Sequence, residues 1–198
     1  MGENQDLYEK IERHISSLYE NAAKDVLMKH SQRTIFWLLK LNPDADVALK
    51  IAAFTHDIER LASSPPLEHM IAASSEGWQD PEFLRRHSTK GAEIIGEILK
   101  GMAVEPGVID QVQFLVAGHE FPGTDDQNIL KDADSISFFE NNVMGFLRMH
   151  VKTYGKEKVR AKFEWMYSRI SSEPARQIVE PWYHQAMAQL DSEKSLAE

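Results

Sequence analysis

The chain has 198 residues, enough for one domain with a sizeable core and too few for two comfortable ones. Its 22 basic and 31 acidic residues give a net charge of −9, which excludes the broad basic surface of a duplex nucleic-acid binder. The lack of cysteine excludes disulfides, zinc–thiolate sites and a cysteine nucleophile. No apolar run approaches membrane-spanning length and the polar amino terminus is unlike a signal peptide, so we expect no membrane partner and a cytoplasmic location.

Helical periodicity extends over most of the first half of the chain. A first amphipathic helix covers Leu7 to Leu18, and a second covers Val26 to Leu41. Asn42-Pro43, with Asn as cap and Pro at the first helical position, predicts a third helix that runs to about Ala62. Residues 65–80 are expected to form an irregular surface loop that serves as a lid.

Two Pro-containing start motifs mark helices in the middle of the chain. Asp80-Pro81 begins a helix that is expected to break near Ser88 and then continue. Glu105-Pro106 begins another, which ends near Gly118. After a turn that contains Pro122 and Gly123, a further helix begins at about Asp126.

The last fifty residues predict two more helices. One carries Val159 to Ile170 and the other Ile178 to Leu190, with a kink at Pro181. No stretch alternates as a strand would, and no internal repeat is present. We therefore predict a single all-α domain over residues 1–198.

Six ionisable residues stand in order at positions that helical periodicity turns inward. His30 shares an apolar stripe with Val26, Trp37 and Leu41, and Asp134 is four residues from Leu130 and from Phe138. Buried ionisable groups are costly unless they are paired or hold metal. We interpret the series as a site for two divalent cations, with these candidate ligands: His30, His56, Asp57, His87, His119 and Asp134.

The individual positions suggest different tasks within this site. Asp57 follows His56 by about 100° of helix rotation, and a carboxylate can bridge two cations while an imidazole binds one. His119 lies where a helix runs out, so we expect its ring to point into the mouth of a cleft. An ordinary surface histidine is the alternative for His87 and for His119. The remaining histidines lack this alignment and are assigned to the surface or to structure: His14, His69, His150 and His184.

The ligand types restrict the choice of metal. Imidazole and carboxylate without thiolate favour Fe²⁺, Mn²⁺, Co²⁺, Ni²⁺ or Zn²⁺ over Ca²⁺. Two such ions roughly 3.5–4 Å apart activate a hydroxide and hold a phosphoryl group for in-line attack.

A set of basic residues near these positions suits an anionic substrate. Arg60 is one turn beyond His56, and together with Arg85, Arg86 and Lys90 it is expected to bind phosphate oxygens. The alternative for this set is a solvated helix face. Asp57, Glu59 and Arg60 are the candidate catalytic residues, and Glu59 is expected to act either as a proton acceptor or as a partner of a metal-bound histidine.

This ordered set resembles the HD-domain superfamily of metal-dependent phosphohydrolases over about residues 25–142. His30, the pair His56-Asp57 and Asp134 match the core metal ligands of that superfamily. The resemblance implies a helical bundle with a central metal site, and it leaves residues 143–198 as a helical extension.

His87 and His119 match the additional histidines of the binuclear subgroup, and the chain is similar to the small bacterial members that cleave diadenosine tetraphosphate. The mononuclear nucleotidases carry acidic residues three and eight positions after the pair, where this chain has Arg60 and Pro65. That departure argues against the mononuclear subgroup.

The resulting hypothesis is a hydrolase that acts on a nucleotide or another small phosphate ester. A diiron oxygenase resembling myo-inositol oxygenase is the alternative, because it uses the same order of six ligands. A non-catalytic module that binds metal or a ligand is a third possibility. The sequence is compatible with a homodimer.

Overall fold

The structure is a computed structural model that describes residues 2–18, 22–62 and 68–192. These residues form helices and connecting turns without any strand, which confirms the all-α prediction. The α-helices in chain order are α1 (Gly2–Ser16), α2 (Ala22–Leu41), α3 (Val47–Thr55), α4 (Glu59–Ala62), α5 (Glu68–Ala73), α6 (Pro81–Gly101), α7 (Pro106–Gly118), α8 (Asp125–Asn141), α9 (Val143–Gly145), α10 (Val151–Tyr154), α11 (Lys156–Ser168) and α12 (Glu173–Ser192). Among these helices, none is both long and apolar enough to cross a lipid bilayer.

Two hydrophobic clusters form the core and meet at α2. The first draws mainly on α1, α3, α6 and α7, and the second on α8, α11 and α12. Trp37 and Leu41 of α2 pack against both clusters, and α2 itself lies along α8. Burial of this apolar surface is the main force that holds the helices together, and it fixes α2 and α8 side by side.

Capping residues explain where three of the helices begin. Asp80 caps α6 by accepting hydrogen bonds from the amides of Glu82 and Phe83, as the sequence predicts. Glu105 likewise caps α7. Thr124 and Gln127 form a reciprocal capping box at the start of α8.

The predicted helix start at Asn42-Pro43 is wrong. The Asn42 side chain accepts a hydrogen bond from the Asp44 amide within a turn, whereas Asp46 caps α3 by accepting from the Leu49 amide at 2.8 Å. The helix also ends at Thr55, before the predicted Ala62, and α4 begins only at Glu59. The turn of residues 56–58 therefore carries the His-Asp pair.

The predicted break near Ser88 is also wrong, because α6 continues through this position. The Ser88 hydroxyl donates to the Leu84 carbonyl at 2.9 Å, so its polar group is satisfied inside the helix.

The expected lid is partly helical. Residues 68–80 contain α5 and a 3-10 turn at Gly77–Gln79, while residues 65–67 lie outside the described residues. The Lys158 ammonium of α11 donates to the carbonyls of Ile71 and Ser74, at 3.2 and 2.8 Å. This segment is therefore tied to the C-terminal part of the chain.

The C-terminal part contains more helix than the sequence predicts. Helices α11 and α12 match the two predicted helices, and Pro181 lies inside α12. Residues 143–154 are helical as well, with a π-helical turn at Phe146–His150. Such turns occur frequently at functional sites.

Candidate metal centre

Six side chains from five parts of the fold converge at one site. His30 comes from the middle of α2 and Asp134 from α8, which lie side by side. His56 and Asp57 come from the turn between α3 and α4. The other two, His87 of α6 and His119 at the C-cap of α7, approach from the facing helix pair. The structure thus brings together all six residues that the sequence selects as metal ligands.

The six residues form two groups of three. His30, His56 and Asp134 offer ligand atoms within 4.8 Å of one another, and so do Asp57, His87 and His119. In the first group, Asp134 Oδ1 lies 3.0 Å from His30 Nε2 and 3.5 Å from His56 Nε2. Each group presents two imidazoles and one carboxylate, which is a suitable donor set for one transition-metal ion.

Asp57 connects the two groups. Its Oδ1 lies 2.9 Å from His87 Nε2, within its own group. Its Oδ2 lies 4.0 Å from the Nε2 atoms of both His30 and His56, in the other group. One carboxylate oxygen therefore faces each group, so Asp57 could contact a cation held by either group.

Backbone carbonyls orient two of the imidazoles. His56 Nδ1 donates to the Ala53 carbonyl at 3.0 Å, and His119 Nδ1 donates to the Val116 carbonyl at 2.7 Å. A carbonyl can only accept, so the proton of each neutral ring lies on Nδ1. In the neutral form of each ring the Nε2 lone pair can bind a metal, and a bound cation would take the place of the Nε2 proton that the charged form of His56 carries.

Side chains orient the other two imidazoles. His30 Nδ1 lies 2.8 Å from the Ser137 hydroxyl, which in turn donates to the His30 carbonyl at 3.0 Å. His87 Nδ1 donates to Glu59 Oε2 at 3.0 Å. Carboxylate and hydroxyl partners of this kind fix the tautomer and orientation of metal-bound histidines. Of the two roles open to Glu59, partner of a metal-bound histidine is the one this geometry matches.

His119 provides a direct test of whether the residues present fit a metal. The sequence interpretation places its ring at the mouth of a cleft, but the residue is fully buried. Its Nε2 has no hydrogen-bond partner among the described residues, and Glu120 Oε1 lies 3.6 Å away. A buried nitrogen without a partner is costly unless something else binds it. A cation that also contacts Asp57 and His87 would satisfy this atom.

Electrostatics keep both carboxylates of the site ionised. Burial opposes the charge on Asp57, but the Arg60 guanidinium and the neighbouring imidazoles hold its pKa well below the usual range. Burial likewise opposes the charge on Asp134, whose pKa is held well below the usual range chiefly by Arg169. Burial also disfavours a charged His56, yet the two carboxylates raise its pKa to about 9. Both carboxylates are thus in the form that binds metal.

Arg169 is a site residue that the sequence interpretation misses. Its guanidinium donates to Glu120 Oε2 at 2.5 Å and to the His119 carbonyl at 2.9 Å, and it forms an ion pair with Asp134 in which Nη2 lies 3.1 Å from Oδ2. The available signal is its position three residues after Met166, at the C-cap of α11, in line with the apolar stripe of that helix. The same stripe holds Lys162, which is also buried.

The structure separates the predicted phosphate-binding residues. Arg60 lies at the site, where its Nε is 3.0 Å from Asp57 Oδ2. Arg86 and Lys90 are exposed on α6, where they pair with Glu82 and Glu93. Arg85 is exposed too, and its guanidinium lies 5.9 Å from the ring centre of Phe121. The three residues of α6 thus match the alternative of a solvated helix face.

A cavity of about 750 Å³ opens onto ligands from both groups. His30, Asp57 and Asp134 form part of its floor, and Val26, predicted on a core stripe, is exposed at its edge. The C-terminal part supplies most of one wall. The described lining residues from that part are Gly145, Phe146, Met149, His150, Tyr154, Lys162, Met166 and Arg169.

The apolar side of this cavity is built around Trp78. Its ring packs against Phe146, His150 and Tyr154, with ring centres 5.1, 5.3 and 4.8 Å away. The sequence interpretation assigns His150 to the surface or to structure, and the structure places it in the cavity wall. The π-helical turn brings Phe146 and His150 to the same side.

Comparison with known proteins adds a family but no activity. No curated protein and no solved structure shows significant similarity to the chain. One protein-family model matches residues 12–190, which covers both the ligand-bearing helices and the C-terminal wall. The chain therefore belongs to the family described as domain of unknown function DUF4202.

Proposed function

We propose that the protein is a metal-dependent phosphohydrolase that acts on a small phosphate ester such as a nucleotide. One observation carries the proposal: two groups of three ligands, connected by Asp57, reach a cavity through His30, Asp57 and Asp134, and three basic side chains line the same cavity. The donor set, imidazole and carboxylate without thiolate, suits a pair of transition-metal ions. Such ions, when bound, act as Lewis acids toward phosphoryl oxygens and lower the pKa of bound water.

The charges around the cavity support an anionic substrate. Its described lining contains three carboxylates, from Asp57, Glu120 and Asp134, and three cations, from Arg60, Lys162 and Arg169. The formal charges of these six lining groups sum to zero. Two divalent ions would leave a strongly positive cavity, so a multiply charged phosphate group is the favoured type of ligand.

The remaining side chains position the ligands and receive the organic part of the substrate. Arg60 and Arg169 each hold one carboxylate of the site, and Glu59 holds His87. The aromatic wall around Trp78 offers faces on which a planar group such as a base can stack. The cavity volume is typical of a small-molecule site.

A substrate screen tests this proposal. Protein loaded separately with Mn²⁺, Fe²⁺, Co²⁺ or Zn²⁺ is incubated with nucleotides, dinucleotides and simple phosphomonoesters, and released phosphate and nucleotide products are measured. We expect turnover that Asp57→Asn abolishes and that Lys90→Gln, an exposed control, retains. Oxygen uptake without phosphate-ester cleavage in the iron-loaded sample would instead support the oxygenase alternative.

A further inference from the structure

Lys162 differs from the other cations of the cavity because its charge is not neutralised by a direct contact. The residue is 7% exposed and lines the cavity. Its ammonium group makes no hydrogen bond or ion pair with any residue that the structure describes. The nearby carboxylate of Glu120 is already bonded to Arg169.

The other two cations have carboxylate partners. Arg60 Nε lies 3.0 Å from Asp57, and Arg169 contacts both Asp134 and Glu120. These contacts hold metal ligands in place, so each guanidinium has a structural task before a substrate arrives. Among the three cations in the described lining, Lys162 is therefore the one without a carboxylate contact, and its charge can interact with a bound ligand.

A buried ammonium group without a carboxylate partner is costly to maintain. The ring centres of Trp165 and Phe138 lie 4.4 and 5.5 Å from Nζ. Cation–π attraction to these rings offsets part of the desolvation cost of the ammonium group. Burial, reinforced by the two nearby guanidinium groups and opposed by Glu120, lowers its pKa to about 8. The group therefore remains mostly protonated at neutral pH.

We infer that Lys162 is the anion anchor of the cavity and binds the phosphoryl group of the substrate directly. A lysine ammonium is a compact charge with three donors, which suits phosphate oxygens. The inference rests on the proposed function for the identity of the substrate. The anchor itself is a binding property that can be measured without turnover.

The test measures binding of inorganic phosphate by calorimetry to metal-loaded wild-type protein, Lys162→Met and Lys152→Met. Lys152 is exposed on α10, and its variant removes the same charge away from the cavity. Metal content is determined for each sample. We expect Lys162→Met to keep its metal and to bind phosphate at least about tenfold more weakly, because a charge-assisted hydrogen bond is lost. Lys152→Met should bind as the wild type does.

Thermal stability separates an anchor from a structural lysine. Without phosphate, Lys162→Met should melt about 2–4 °C higher than the wild type, because a buried charge has been removed. Lys162→Gln is the second variant if Lys162→Met does not fold, with the same loss of phosphate affinity expected. Phosphate affinity within about twofold of wild type in the folded variant, at unchanged metal content, would overturn the inference.

Turnover then distinguishes the two proposals. Weakened phosphate binding in Lys162→Met, with no ester cleaved by the wild type, would retain the anchor and reject the hydrolase. Wild-type ester cleavage with an unchanged KM in Lys162→Met would retain the hydrolase and reject the anchor.

Discussion

The ligand-bearing helices and the C-terminal helices contribute to the cavity in different ways. Residues 22–141 supply all six candidate metal ligands, whereas the described residues 143–192 supply none. The C-terminal part instead provides aromatic rings, Lys162 and Arg169. Under the proposed function, the first region would carry the chemistry and the second would recognise the substrate. Except at Arg169, which contacts the candidate ligand Asp134, changes in the two regions should therefore alter different measured quantities.

The largest effect is expected from Asp57→Ala in the ligand-bearing region. The substitution removes the carboxylate that connects the two groups, so metal content and kcat should both fall, kcat by about three orders of magnitude. Elemental analysis and steady-state kinetics measure the two quantities. Asp110→Ala, an exposed carboxylate on α7, is the control. Near-normal kcat with full metal content would remove Asp57 from its connecting role.

His119→Ala should show whether the two groups of ligands bind metal independently. The variant lacks one ligand of the Asp57 group and leaves the His30 group intact. We therefore expect metal content to fall from two ions to one and kcat/KM to fall by about two orders of magnitude. Retention of both ions would show that His119 Nε2 is satisfied in another way.

Arg169→Gln tests the ion pair between the C-terminal region and the candidate ligand Asp134. The Arg169 guanidinium is not a candidate ligand itself, but it orients the candidate ligand Asp134. Its loss should therefore lower metal affinity about 10–100-fold. Competition with a chelator measures this affinity, and Arg148→Gln, an exposed arginine, is the control. Unchanged metal affinity together with a raised KM would make Arg169 a substrate-binding residue alone.

Arg60→Ala should disturb the site less than Arg169→Gln does. The reason is that Arg60 forms an ion pair with one carboxylate, whereas Arg169 forms ion pairs with two. A loss of kcat/KM of about tenfold is expected with both ions retained. A lower melting temperature with unchanged kinetics would show that the Arg60–Asp57 bond is only structural.

The smallest effect is expected from Arg86→Ala and Lys90→Ala. Both side chains are exposed and paired along α6, so stability should change by less than about 0.5 kcal/mol and KM should stay within about twofold of wild type. A marked rise in KM would return these residues to the substrate site.

The metal ligands could be predicted from sequence because their chemistry is rare on apolar helix faces. Asp134 between Leu130 and Phe138 has no packing explanation, and that anomaly identifies it. The helix starts at Asp80 and Glu105 were predictable for a local reason, since a side-chain cap depends only on neighbouring residues.

The predictions that the structure does not match also have physical reasons. Asn42-Pro43 carries a valid start signal, but Asp46 caps the next helix better once the chain has turned. Arg85 and Arg86 are adjacent in sequence to His87, but helix rotation places their side chains on the exposed face of α6. Lys162 and Arg169 are ordinary basic residues whose role depends on how α11 packs against α8, which no local pattern encodes.

The central claim is that two metal ions occupy the two groups of ligands. Anomalous X-ray scattering from crystals of protein purified without chelator tests it most directly. The account predicts two peaks roughly 3.5–4 Å apart. One should be surrounded by His30, His56 and Asp134, and the other by His87 and His119, with Asp57 between them. Crystals with no ordered transition metal at these residues, after supply of Mn²⁺, Fe²⁺, Co²⁺ and Zn²⁺, would contradict it.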